Sequence, residues 1–135
     1  MTEVRVSLRS IPDTAAAVGW AGRHSLVVDR PDGVARGSGL GFNGGELLAL
    51  AIGGCFCNDL HYVAATEGVE LTNLTVDVAL ELSGKPLIAT AARMTVSATA
   101  VQAEADIEAI IEKARADSTV SNSLARGLPV SVSAA

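Results

Sequence analysis

Asn43-Gly44-Gly45-Glu46-Leu47-Leu48-Ala49-Leu50-Ala51-Ile52-Gly53-Gly54-Cys55-Phe56-Cys57-Asn58-Asp59-Leu60-His61, running on to Thr66 and Gly68, is the stretch on which the reading of this chain turns. Asn43 is a helix-capping residue type, whose side-chain oxygen accepts from a free amide of the first turn, and Gly68 can take the left-handed conformation that closes a helix. The spacing predicts one helix over Gly44 to Thr66. Nearly every residue from Leu47 to Phe56 is apolar, so this helix is expected to be wrapped on most sides and to form the centre of the fold. Its charge-free run, Leu47 to Asn58, falls short of the roughly 20 apolar residues that span a bilayer, which argues for a buried helix and against a membrane anchor.

Working outward, Val4 to Leu8 alternates apolar and polar residues and predicts a first strand. Val18 to Trp20 and His24 to Asp29 flank Ala21-Gly22-Arg23 and read as short antiparallel strands, with Arg30-Pro31-Asp32-Gly33 supplying turn chemistry after them. A loop from Gly33 to Gly45 holds six of the 13 glycines, too many for any regular element. Beyond the helix, Leu71 to Leu82 alternates Leu74, Val76, Val78 and Leu80, and Ala89 to Ala100 carries Met94, Val96 and Ala98, the two joined by a turn at Gly84-Lys85-Pro86. Glu104 to Ala116 sets Ile107, Ile110 and Ile111 at helical spacing among acidic residues, which predicts an amphipathic helix. Ser118 to Arg126 reads as a further short helix and Leu128 to Val132 as a last strand. That order argues for a single α+β domain over residues 1–135, with mainly antiparallel sheets packed around a long buried helix. Chains of this size hide only about 68–70% of their unfolded surface. A homodimer that buries the helix between two subunits is therefore expected.

Composition removes several classes of function. With 49% apolar residues the chain is too hydrophobic to be disordered. Ten Lys and Arg stand against 15 Asp and Glu, for a net charge of -5 and no basic run, so the electrostatic footprint of a nucleic-acid binder is missing. The Met1-Thr2-Glu3-Val4-Arg5 start lacks the positive and apolar segments of a secretory signal, which points to the cytoplasm. Two cysteines two positions apart make no disulfide framework, and in a reducing compartment they should persist as thiols.

Gly53 to His61 concentrates nearly all of the reactive side chains. At about 100° per residue, Cys55 and Cys57 point about 200° apart around a helix and cannot bridge within it. Cys57 shares a face with His61, and Cys55 shares one with Leu48, Ala51 and Asp59. Three readings compete. Free cysteines are among the most buried residues and serve as small hydrophobes. A metal site at Cys57 and His61 would need four ligands, and the only other histidine, His24, stands alone on a strand. Nucleophilic thiol chemistry would need a cation, a helix N-terminus or a histidine beside the sulfur. Asp59 works against a thiolate at Cys55 unless Arg23 or another cation neutralises it.

The sequence resembles the OsmC and Ohr superfamily, the osmotically inducible and organic-hydroperoxide-resistance proteins. The resemblance is carried by Gly22-Arg23-His24-Ser25-Leu26-Val27-Val28-Asp29-Arg30-Pro31, by Glu46 leading an apolar helix into Gly53-Gly54-Cys55, and by Val120-Ser121-Asn122-Ser123-Leu124 with Gly127-Leu128-Pro129-Val130. It implies an OsmC-like fold, an intertwined homodimer and a cofactor-free thiol peroxidase. Cys55 matches the peroxidatic cysteine that attacks an organic hydroperoxide and becomes a sulfenic acid, and Arg23 matches the arginine that stabilises the thiolate. Two departures stand out. Ser118, in Ser118-Thr119-Val120-Ser121-Asn122, replaces the family's resolving cysteine, so no internal disulfide can form there and an external thiol reductant is expected. Glu46, matching the family's acid, lies nine residues before Cys55 where the dedicated reductases have ten, a spacing similar to that of the less characterised OsmC-like branch. That offset turns Glu46 toward the face of Cys57 and His61, and its charge also suits a helix N-terminus. Cys57, with His61 beside it, could act as a second thiol only by reaching a partner subunit or by local unwinding of the helix. The expected function is reduction of alkyl or lipid hydroperoxides; the alternative is a non-catalytic member of the same fold that binds a small apolar ligand.

Overall fold

The computed structural model describes all 135 residues, as an α+β chain of antiparallel strands and three helices. By its own contacts the chain divides into two compact units, Met1–Leu48 and Ala49–Ala135.

In the first unit β1 (Ser7–Ser10), β2 (Ala17–Ala21) and β3 (His24–Val28) form an antiparallel sheet in the order β1-β2-β3. The expected first strand at Val4 to Leu8 is displaced toward the C-terminus. Ser7 pairs with Trp20 and β2 ends at Ala21, so the residues before Val6 have no strand to pair with, while Ser10 still reaches Ala17. Gly22, at φ 60°, and Arg23 make the tight turn that joins β2 to β3. At the end of β3 the side chain of Asp29 is almost completely buried and organises the glycine-rich loop. Its Oδ2 accepts the amides of Ser38 and Leu40, both at 3.0 Å, and its Oδ1 accepts the amide of Arg30 at 2.8 Å and the Arg30 guanidinium at 3.1 Å. The loop then returns along β3, where Phe42 donates to the Val27 carbonyl at 2.9 Å. Glycine at position 41 makes this approach possible, because a Cβ there would lie 2.1 Å from that carbonyl oxygen.

The helix α1 (Gly44–Thr66) has the span its sequence predicts and continues into the second unit. There β4 (Leu71–Ser83) and β5 (Ile88–Ala100) form an antiparallel ribbon, followed by α2 (Ile107–Asp117) and α3 (Thr119–Arg126). Asp106 caps α2 by accepting the Ala109 amide at 3.1 Å. Phe56, Leu60, Val63 and Ala64 of α1 and Ile110 and Ala114 of α2 form the core, with Leu74 and Val76 of β4 and Met94 and Val96 of β5 packed against it. Burial of each large side chain contributes roughly 1.5–3 kcal/mol. Gly53 permits close contact with the ribbon, since a Cβ there would stand 2.8 Å from Val78 Cγ2.

Within a single chain the long helix is covered on one side, Leu50 being 53% and Tyr62 70% exposed, and one expectation, the last strand, is corrected. With its full length α1 is long and apolar enough to cross a membrane, but its core contacts, together with Glu46 and Asp59, make it a core helix. Leu128 to Val132 forms no strand, and Leu128, Val130 and Val132 stand exposed, because a strand exists only against a neighbouring edge and this chain offers that segment none.

The clamp at Asp29 has a pH signature. The Leu40 amide above all, and then those of Ser38 and Arg30, outweigh burial and hold its carboxyl down to about 2 from an ordinary 3.8. A depressed pKa gives stability that is complete above the unfolded value and is lost as pH falls through the folded one. The Tm difference between the wild type and Asp29→Asn should stay constant above about pH 4 and shrink toward about pH 2. Thermal melts followed by circular dichroism check this, and a difference undiminished by acid contradicts the clamp.

Candidate functional site

Cys55 lies one residue before the buried Phe56, and Cys57 one residue after it. About 100° of rotation to either side of the buried line puts both thiols at its borders, and both are half-buried and unpaired. Their surroundings differ. The Cys55 thiol donates to Asp59 Oδ2 at 3.5 Å, one helical turn on, and accepts from Ser118 Oγ at 3.8 Å. Cys57 has His61 one turn on, and that histidine is exposed. No three His, Cys, Asp or Glu side chains are grouped so that they could hold a metal ion.

Ser118 joins α2 to α3 and is fully buried. With Ile110 and Ala114 it continues a buried line at four-residue spacing, which carries it from α2 onto the flank of α1. It occupies the N-cap of α3, where a serine hydroxyl usually accepts an amide of the first turn. Here it makes no such bond; its carbonyl accepts the Asn122 amide at 3.0 Å and its hydroxyl is turned to the sulfur of Cys55.

Arg23 and Glu46 belong to the first unit, Cys55, Cys57, His61 and Ser118 to the second. Arg23 is exposed at the β2–β3 turn. Glu46 closes a capping box: its Oε1 accepts the Asn43 amide at 3.0 Å, while Asn43 Oδ1 accepts the Glu46 amide at 2.9 Å. Two amides that the helix leaves free are satisfied in this way. The box is visible in Asn43-Gly44-Gly45-Glu46, where an acid follows the cap by three residues. The bond from Cys55 to Asp59 is likewise visible as an i, i+4 pair, whereas Cys55 and Ser118 stand sixty-three positions apart and only the fold joins them.

Residues 37–133 match the OsmC-like protein family. The chain belongs to the OsmC-like family. The fold of this OsmC-like protein recurs in solved structures of low sequence identity. An OsmC-like protein of unknown function from Vibrio cholerae superimposes with a TM-score of 0.78 at 12% identity, over 91% of this chain and 94% of its own. An OsmC-like protein from Mycoplasma pneumoniae gives 0.74 at 15%, over 92% and 88%. A protein named organic hydroperoxide resistance protein OsmC, from Legionella pneumophila, gives 0.63 at 18%, over 92% and 90%. At these identities the likeness establishes the fold alone. Comparison with curated proteins finds no match.

The capping box makes Glu46 testable. Glu46→Gln keeps a carbonyl oxygen for the Asn43 amide and should leave stability within about 0.5 kcal/mol, whereas Glu46→Ala should cost about 1 kcal/mol. Urea unfolding distinguishes the two; equal losses from both would mean that charge, and not the box, is what Glu46 supplies.

Proposed function

We propose that this OsmC-like protein reduces organic hydroperoxides through Cys55, with an external thiol completing the cycle. The observation that carries this reading is the contact between Cys55 and Ser118. The residue in place of the family's second cysteine is buried against the first thiol, as a resolving group would be. In the proposed cycle the Cys55 sulfur attacks the terminal oxygen of the hydroperoxide, the O–O bond breaks, and the products are a sulfenic acid and an alcohol. A soluble thiol then condenses with the sulfenic acid to give a mixed disulfide and water. A second thiol reduces that disulfide, returning Cys55 and releasing the oxidised reductant. Serine cannot take the resolving part, so the reductant comes from the thiol pool of the cytoplasm, where we place the protein.

The alternative, a binding protein without turnover, draws support from an apolar cavity of about 250 Å³ within the first unit, lined by Leu8, Trp20, Leu26 and Leu47 among others. Reduced protein treated with cumene hydroperoxide and a sulfenate-trapping reagent decides between the two. A mass-spectrometric adduct on Cys55 is the expected result, with none in Cys55→Ser. An unmodified Cys55 removes the peroxidase, and an adduct on Cys57 alone moves the nucleophile there. In Ser118→Cys the same hydroperoxide should yield an internal disulfide with Cys55, lost on reduction.

We also propose that two copies form the working unit. Leu50 and Tyr62 on α1, Leu87 and Ile88 at the end of the β4–β5 ribbon, and Leu128, Val130 and Val132 leave much apolar surface exposed in one chain. Sedimentation equilibrium should return twice the 13.7 kDa chain mass, and a monomer at micromolar concentration contradicts the dimer.

A further inference from the structure

We propose that Asp59 is a catalytic residue of the peroxidase reaction, taking the proton of the Cys55 thiol and handing it to the departing alkoxide. The inference rests on the reading of Cys55 given above.

Three features of the site lead to it. First, the Asp59 carboxylate lies 3.5 Å from the reacting sulfur and accepts the hydrogen bond of its thiol directly, an alignment set by four-residue spacing on one helix. Second, Asp59 takes part in none of the protein's ion pairs, so no cation competes with the Cys55 thiol for its carboxylate oxygens. Third, the buried Ser118 hydroxyl donates to the same sulfur, and that donor remains when the thiol proton leaves. A carboxylate beside a thiolate would ordinarily oppose it by like charge. Transfer of the proton from sulfur to Asp59 removes that conflict, because the pair carries a single negative charge before and after.

The chemistry balances. The S–H proton moves to Asp59 Oδ2. The sulfur lone pair attacks the terminal oxygen of the hydroperoxide, forming the S–O bond. The O–O bond breaks, and its electron pair leaves with the alkoxide, which takes the proton from Asp59. Sulfur is oxidised by two electrons to the sulfenic acid, the peroxide is reduced by two to an alcohol and the hydroxyl now on sulfur, and Asp59 ends as the carboxylate it was. An alkoxide is a poor leaving group without a proton, and a positioned acid is worth on the order of 10²-fold or more.

The test compares two probes that need the same thiolate but different leaving groups. With tert-butyl hydroperoxide the departing alkoxide needs a proton; with iodoacetamide the departing iodide does not. The ratio of the two rate constants at Cys55, measured in the Cys57→Ser background, cancels differences in thiolate population. In the wild-type Asp59 protein this ratio should exceed that of N-acetylcysteine about 100-fold. Asp59→Asn should bring it down to the small-thiol value, and Asp59→Glu should recover part of it. A purely structural role for Asp59 would move both rates together and leave the ratio alone. An Asp59→Asn ratio equal to that of the Asp59 protein, or an Asp59 protein no better than the free thiol, overturns the inference while the peroxidase reading stands. A Cys55 inert to the hydroperoxide but alkylated by iodoacetamide overturns both.

Discussion

The side of α1 that bears Phe56, Leu60, Val63 and Ala64 has to lie on the β4–β5 ribbon and α2, and the placement of the chemistry follows from that. Once those four side chains are seated, the rotation of the helix is set, and with it the position of every neighbour in sequence. Gly53 lets the helix backbone come close to Val78, so the seat is tight where α1 approaches the thiols. Cys55 falls at the edge of the seated face. It is near enough to the core to be shielded on one side and open enough on the other to meet a reagent.

The second party to the site arrives by the same logic from another element. The α2 helix presents Ile110 and Ala114 to the core, and the next step of that spacing is Ser118. The interruption of the helix between α2 and α3 at this point turns an ordinary capping residue into a buried donor facing sulfur. No single segment holds the constellation. Asp59 belongs to α1 by periodicity and Ser118 reaches it by tertiary packing.

Much of this was legible in the sequence, for reasons that differ by element. The limits of α1 were readable because both ends carry local signals, the capping box at Asn43 and Glu46 and the glycine at position 68. The ribbon was readable because Leu74, Val76, Val78 and Leu80 keep one face inward along most of β4. The position of β1 was not, because Val4 to Leu8 alternates as well as its neighbours do and only the length of β2 decides which residues are paired. Leu128 to Val132 has the pattern of a strand without the pairing edge, a condition no pattern can express. The relation of Ser118 to Cys55 came from family resemblance, since the two stand sixty-three positions apart in the chain. Asp29 carries no periodic signal at all; its work is with amides, which every residue but proline possesses.

That last feature bears on how the loop can vary over evolutionary time. Asp29 grips the backbone at Ser38 and Leu40 and makes no demand on their side chains. Those two positions are consequently free to drift through almost the whole amino-acid alphabet, proline alone being barred for want of an N–H. An aspartate that looks like one more surface acid thus fixes the path of a segment whose own letters need hardly be preserved.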